Sequence, residues 1–149
     1  MSDLEKIGTA VLTTRSISLA GAQRVIGAAL ANAEESDCRV SLVVIDAGGN
    51  MTAMARRDGT ADTATTVALN KANTALTLRT ATDVFGKAIE DNTMLVSSLG
   101  SQPGIALIAG GLPITEGDEV IGAIGVSGSR DGKDLTIARA GADALRSAD

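Results

Sequence analysis

The sequence predicts an α+β domain built on an antiparallel sheet. Two pairs of strand-like runs are each joined by a short polar turn: RVSLVVID, AGGN and MTAMAR over residues 39–56, and LPIT, EGDE and VIGAIGVS over residues 112–127. Strands joined so tightly pair antiparallel, because a parallel pair needs a crossover of a dozen residues or more. Around and between these pairs, apolar residues recur at three- and four-residue steps, the period of a helix with one buried face. With 149 residues, one domain over 1–149 is expected, residues 1–17 forming an N-terminal extension.

Within the extension, Thr9 to Ser16 alternates loosely and is a candidate strand. Ser18 suits an N-cap, its hydroxyl standing just before a periodic run. Leu19, Ala22, Ile26, Ala29, Leu30 and Ala33 form the stripe of the first helix, which ends in Glu34-Glu35-Ser36-Asp37. Arg39 to Asp46 and Met51 to Arg56 are strands, with Gly and Asn in the AGGN turn supplying the positive φ a tight connection needs. Arg57-Asp58-Gly59-Thr60 closes the second strand. A second helix follows over about 62–77, with Ala64, Val67, Ala68, Ala72, Ala75 and Leu76 on its apolar side. Thr82 caps a short helix through Phe85 and Ile89; Met94 to Gly100 is ambiguous, and Gln102-Pro103-Gly104 breaks the chain.

Ile105 to Ala109 reads as a short strand leading into the second hairpin, and the sheet is expected to have five strands. In the hairpin's long arm, Val120, Gly122, Ile124 and Val126 should face one way, and Ile121, Ala123, Gly125 and Ser127 the other. That second face shrinks toward Ser127, so something approaches the backbone closely there: a packed helix or a bound small molecule. Asp131 or Asp134 opens the last helix, where a negative charge is favoured, and Leu135, Ala138, Ala142 and Leu145 are its stripe. The first and last helices are expected to pack on one face.

Composition narrows the function. The net charge of −5 repels nucleic-acid phosphates and anionic lipid, and one aromatic residue, Phe85, offers no base-stacking platform. Neither nucleic acid nor a membrane is an expected partner. No run approaches the ~20 apolar residues of a membrane span, and the N-terminus lacks an apolar run of signal-peptide length, so a cytoplasmic protein is expected. There is no histidine and only one cysteine, Cys38, which excludes a Ser–His triad and a zinc site. The glycines at 122, 125 and 128 end a strand rather than open a βαβ unit, so they are no dinucleotide fingerprint.

What remains is a polar group of Asn50, Arg56, Asp58, Lys71, Ser127 and Asp134. All but Lys71 lie at strand ends or in loops, where sites are usually built. Lys71 stands seven residues after Ala64 on the same helical stripe; an ammonium there must snorkel, pair with a carboxylate or serve a ligand. Arg56 and Asp58 are two residues apart and form either a surface pair or a guanidinium clamp for a carboxylate, with the acid orienting it.

VVIDAGGN (43–50), ARRDG (55–59), Lys71-Ala72, GGLPI (110–114), EVIGAIGVSG (119–128) and the D-x-x-x-A-R-A-G run at 134–141 resemble, in that order and spacing, the GlcG/HbpS-like family. That family includes the C-terminal domain of PduO-type cobalamin adenosyltransferases. The resemblance runs from about Ser18 to Leu145. It implies a profilin-like α+β domain and homo-oligomers, dimers or larger assemblies up to octamers. Some members bind heme; others belong to small-acid catabolism. Members commonly carry His after the Gly-Gly of the first turn, where this chain has Asn50.

The leading expectation is a small-molecule site at a subunit interface, lined by Arg56, Asp58, Lys71 and the glycine-rich hairpin. Two cations and no aromatics point to a compact organic acid. Gly111, Pro113 and Gly125 join Asn50, Arg56, Ser127 and Asp134 as ligand-facing positions. Lys71 and Asp58 are the catalytic candidates for a cofactor-independent isomerase or lyase, Lys71 as base or Schiff-base former and Asp58 or Asp134 as partner acid. No metal and no cofactor is expected. The competing reading is a heme or tetrapyrrole module without catalysis, disfavoured by the absence of His and Tyr.

Overall fold

A computed structural model describes residue 8 and residues 10–146. Five helices and four strands follow in order: α1 (Leu19–Glu35), β1 (Ser41–Asp46), β2 (Met51–Arg56), α2 (Ala64–Leu78), α3 (Thr82–Ile89), α4 (Thr93–Gly100), β3 (Gly111–Glu116), β4 (Glu119–Ser127) and α5 (Asp134–Asp143). The strands form one antiparallel sheet in the order β2-β1-β4-β3.

Among the described residues the sheet has four strands, not five. Ile105–Ala109 is not one of them, because its backbone is held by helix side chains instead of a strand. Ala106 N–H donates to Thr74 Oγ1 at 2.9 Å, and the Ile108 carbonyl accepts from Thr82 Oγ1 at 2.6 Å. Thr9 lies outside the described residues, and residues 10–16 form no strand. The Ile17 N–H donates to the Ile121 carbonyl at 2.9 Å, which brings the chain onto β4 just before Ser18 caps α1 through the Gly21 N–H. The ambiguous 94–100 stretch is α4, capped by Asn92 accepting from the Leu95 N–H at 3.0 Å.

The central strands β1 and β4 are buried on both faces, while β2 is exposed at Met51, Met54 and Arg56. On one face α1 and α5 pack together, with Val25, Ala29, Leu42, Val44, Ile124, Val126 and Ile137 in the main core. On the other face α2 lies over Val43, Ile45 and Ala123 through the buried Ala68, Ala72 and Ala75, with Leu69 and Leu76 at the margin. Small side chains on both surfaces let helix and sheet approach closely. Along β4 the strict alternation fails at one point: Ile121 joins Ile124 and Val126 on the α1/α5 side. The register slips between Ile114 and Thr115, and a bulge there shifts the phase of the strand. In α1, Leu19 is 56% exposed rather than on the buried stripe, because it precedes the turn that meets the sheet.

Candidate functional site

Lys71 is the largest fully buried side chain, 1% exposed. Its Nζ donates to the Val126 carbonyl at 2.9 Å and to Asp134 Oδ2 at 3.0 Å. Asp134 sits in the first turn of α5, and its Oδ1 accepts from the Ser129 N–H at 3.0 Å. Gly110 adopts φ +123°, and a Cβ there would stand 2.9 Å from Nζ. Of the three fates open to this ammonium, the fold uses the internal ion pair, which ties α2, β4 and α5 together.

The pared-down face of β4 is covered by protein. A Cβ on Gly125 would collide with the Ala68 carbonyl and lie 2.7 Å from the Ala72 nitrogen, so α2 fills the space expected for a ligand. Gly111 is packed against α2 and donates to Thr82 Oγ1 at 3.0 Å. Pro113, on the edge strand opposite Ala123, is half-buried. Ser127 is 9% exposed and stands opposite Ser41.

Arg56 lies at the same sheet end, opposite Ser41 on β1's other side, but turns outward. Its guanidinium donates to the Ala61 carbonyl at 3.0 Å and to the Thr60 carbonyl, with Asp62 at 3.7 Å. The expected Arg56–Asp58 clamp is therefore not formed: the carbonyls of the β2–α2 loop take the guanidinium, and Asp58 is exposed in that loop. Asn50 is at the opposite end of the sheet, about 17 Å away over the five steps of β1. Its side chain and backbone N–H donate to Asp46, which also accepts from the Gly48 N–H. The Asn50 N–H in particular holds the Asp46 carboxyl below its ordinary value. The polar hollow expected beside Lys71 is thus closed by α2.

An open hollow lies instead at the AGGN-turn end, with a volume of about 530 Å³. Its walls are the turn (Gly48, Gly49), the end of α2 (Asn73, Thr77, Arg79) and the Pro103–Gly104 loop. Thr74 Oγ1 accepts from Ala106 and donates toward the Asn70 and Gly104 carbonyls, which fixes that loop against α2. Arg79 ends α2 in the left-handed conformation at φ 55° and, among the described residues, is the one charged residue in the lining. Two other hollows, of about 720 and 590 Å³, are lined by charges of both signs. Asn73, Thr77 and Arg79 escaped the sequence reading because nothing in helical periodicity says what faces a helix end. The Pro103-Gly104 break and an Arg just past the last apolar turn were the available signals.

This arrangement defines a small α+β domain with a ligand-sized hollow at the AGGN-turn end of its sheet. Residues 17–143 match the family described as haem degrading protein HbpS-like, and the chain belongs to that family. A 15.0 kDa protein from the dhaT–dhaS intergenic region of Citrobacter freundii is 37% identical over 128 residues, 85% of this chain and 90% of that one. Among solved structures, Klebsiella pneumoniae ORFY is 30% identical with a TM-score of 0.86, covering 95% of this chain and 98% of that one. A PduOC:heme complex is 25% identical with a TM-score of 0.78, covering 87% and 94%.

Among the residues that commonly ligate a heme iron, this chain offers exposed methionines, Met51, Met54 and Met94, and little else. The sequence has no His or Tyr, Cys38 is buried with its thiol toward the Ser36 carbonyl, and Lys71 is committed to Asp134. Among the described residues, no cluster of three His, Cys, Asp or Glu is placed to hold a metal ion.

Proposed function

We propose that this protein binds a small organic acid in the hollow between the AGGN turn and the end of α2. The observation that carries the reading is the charge of that hollow: Arg79 lines it, and among the described residues no carboxylate does. A guanidinium facing polar walls suits a carboxylate, which it can hold through two parallel hydrogen bonds. The volume is within the range of ligand sites. Turnover by Lys71 and Asp58 is not carried by this geometry, since neither lines the hollow and Lys71 is sealed in the core. Self-association belongs to the same reading: Val84 on α3, Met94 on α4 and Ile108 before β3 are 57%, 82% and 61% exposed.

The PduOC:heme complex motivates heme as the second reading. A backbone-amide NMR titration with acetate and a parallel hemin titration separate the two. Binding of the acid should move the amide signals of Gly48, Asn73 and Arg79 saturably, and hemin should give no stoichiometric Soret shift. A saturable Soret shift at one heme per chain, with no response to the carboxylate, would replace the acid by heme.

A further inference from the structure

A separate hollow, of about 590 Å³, opens at the end of the sheet away from the AGGN turn. β1 begins there at Ser41, opposite Arg56 at the end of β2 and Ser127 at the end of β4, and the loops just beyond those strands form the walls. Most side chains of the lining are engaged. The Ser36 hydroxyl donates to the Asn32 carbonyl at 2.6 Å, and the Cys38 thiol to the Ser36 carbonyl at 3.7 Å. Asp37 pairs with Arg57 at 3.7 Å and Asp131 with Lys133 at 3.3 Å, both cations standing outside the lining. The side chains left over, among the described residues, are all donors. The Arg39 and Arg130 guanidiniums have no carboxylate partner, and the Ser129 Oγ is buried without a hydrogen bond. A buried hydroxyl without a partner is rare enough in folded proteins to need a reason. The bare backbone of Gly59 leaves the Arg39 guanidinium its place in the wall: a Cβ there would stand 2.8 Å from Nη1.

From this set of unmatched donors we infer a second binding site, for a dianionic phosphate, free or as a monoester, held by Arg39, Arg130 and Ser129. Two unpaired guanidiniums call for two negative charges. A phosphate monoester carries about −1.5 to −2 at pH 7 and presents three terminal oxygens. Arg39 and Arg130 offer forked donors to two of them, and a turn about the Cα–Cβ bond brings the Ser129 hydroxyl to the third. A carboxylate has one charge and two oxygens, so it leaves one guanidinium unmatched; a phosphodiester likewise has a single charge. A cation would find only carboxylates that already share one. The site is independent of the hollow beside Arg79, with which it has no lining residue in common.

Amide-detected NMR titration of the full chain with inorganic phosphate, methyl phosphate, dimethyl phosphate and acetate, at one ionic strength, tests the assignment. Inorganic or methyl phosphate should shift the Gly59, Gly128 and Ser129 signals saturably. It should bind at least about tenfold tighter than dimethyl phosphate or acetate, the effect of one unmatched charge. The tighter of the two dianions tells whether the site takes free phosphate or a monoester. Arg39→Gln combined with Arg130→Gln, at two exposed and unpaired positions, should keep the fold and weaken that binding at least about tenfold. Ser129→Ala should weaken it about fivefold, the effect of one hydrogen bond. No saturable shift of these signals with either dianion, or undiminished binding by the folded double variant, overturns the site. Dimethyl phosphate or acetate binding there as tightly as the dianions overturns the phosphate class.

Discussion

Lys71 shows how a single side chain changes meaning with its surroundings. In water an ion pair of this length is worth at most ~1 kcal/mol. Between α2 and α5, with the Lys71 side chain 1% and the Asp134 side chain 14% exposed, removal of either partner strands the other away from solvent. Asp134→Ala is expected to cost about 3–5 kcal/mol, because it leaves a buried ammonium uncompensated. Lys71→Met should cost less, about 1–3 kcal/mol, since Asp134 keeps the Ser129 N–H and some access to water. Urea denaturation of the two variants measures this order, and equal losses would show that the pair is not what holds the two helices. The spacing Ala64 to Lys71 placed the amine on the buried stripe correctly. Its partner lies 63 residues away, on a helix whose position only the fold determines.

At the level of elements, α2 approaches β4 closely. Helix and strand touch through backbone: Gly125 beneath Ala68 and Ala72, with Gly111 beneath the Lys71 carbonyl. The alternation of the EVIGAIGVSG strand foretold a shallow surface, and two occupants would have suited it equally. Gly125→Ala decides what that surface is for. With α2 as occupant, one methyl must push helix from sheet, a loss of about 3 kcal/mol or more of stability that thermal melting would read directly. A variant of wild-type stability would mean that α2 can lift away and that the face is open to a ligand after all. The fifth strand failed for an element-level reason as well. IALIA has strand composition, yet Thr74 and Thr82 capture its backbone groups, and hydroxyls on two helices are invisible to strand propensity.

Over the described residues the fold is a four-stranded sheet with α1 and α5 on one face, α2 on the other and α3 and α4 beyond it, and its apolar surface is unevenly covered. Helix α4 has no buried residue although its sequence is TMLVSSLG, and Met94 is 82% exposed. A second copy of the chain is the expected cover. Light scattering on the purified protein should give a multiple of 14.9 kDa, and Val84→Glu with Met94→Glu should shift the distribution toward the single chain. A wild-type monomer at all concentrations would refute self-association. The hollow beside Arg79 draws on separated stretches of the chain: Thr14, the turn at 47–49, the end of α2, the 103–105 loop and Val120.

By itself, the sequence determined the periodic helices, both hairpins, the antiparallel pairing and the resemblance to the family, because each of these is written in neighbours a few residues apart. The tertiary structure alone decided that Lys71 pairs with Asp134, that α2 closes the glycine face, and that the open hollow lies between the AGGN turn, the end of α2 and the Pro103–Gly104 loop. The physical reason is the same in each case. Local spacing dictates which side of an element is apolar, whereas what meets that side is set by loop closure and close packing between residues far apart in the chain.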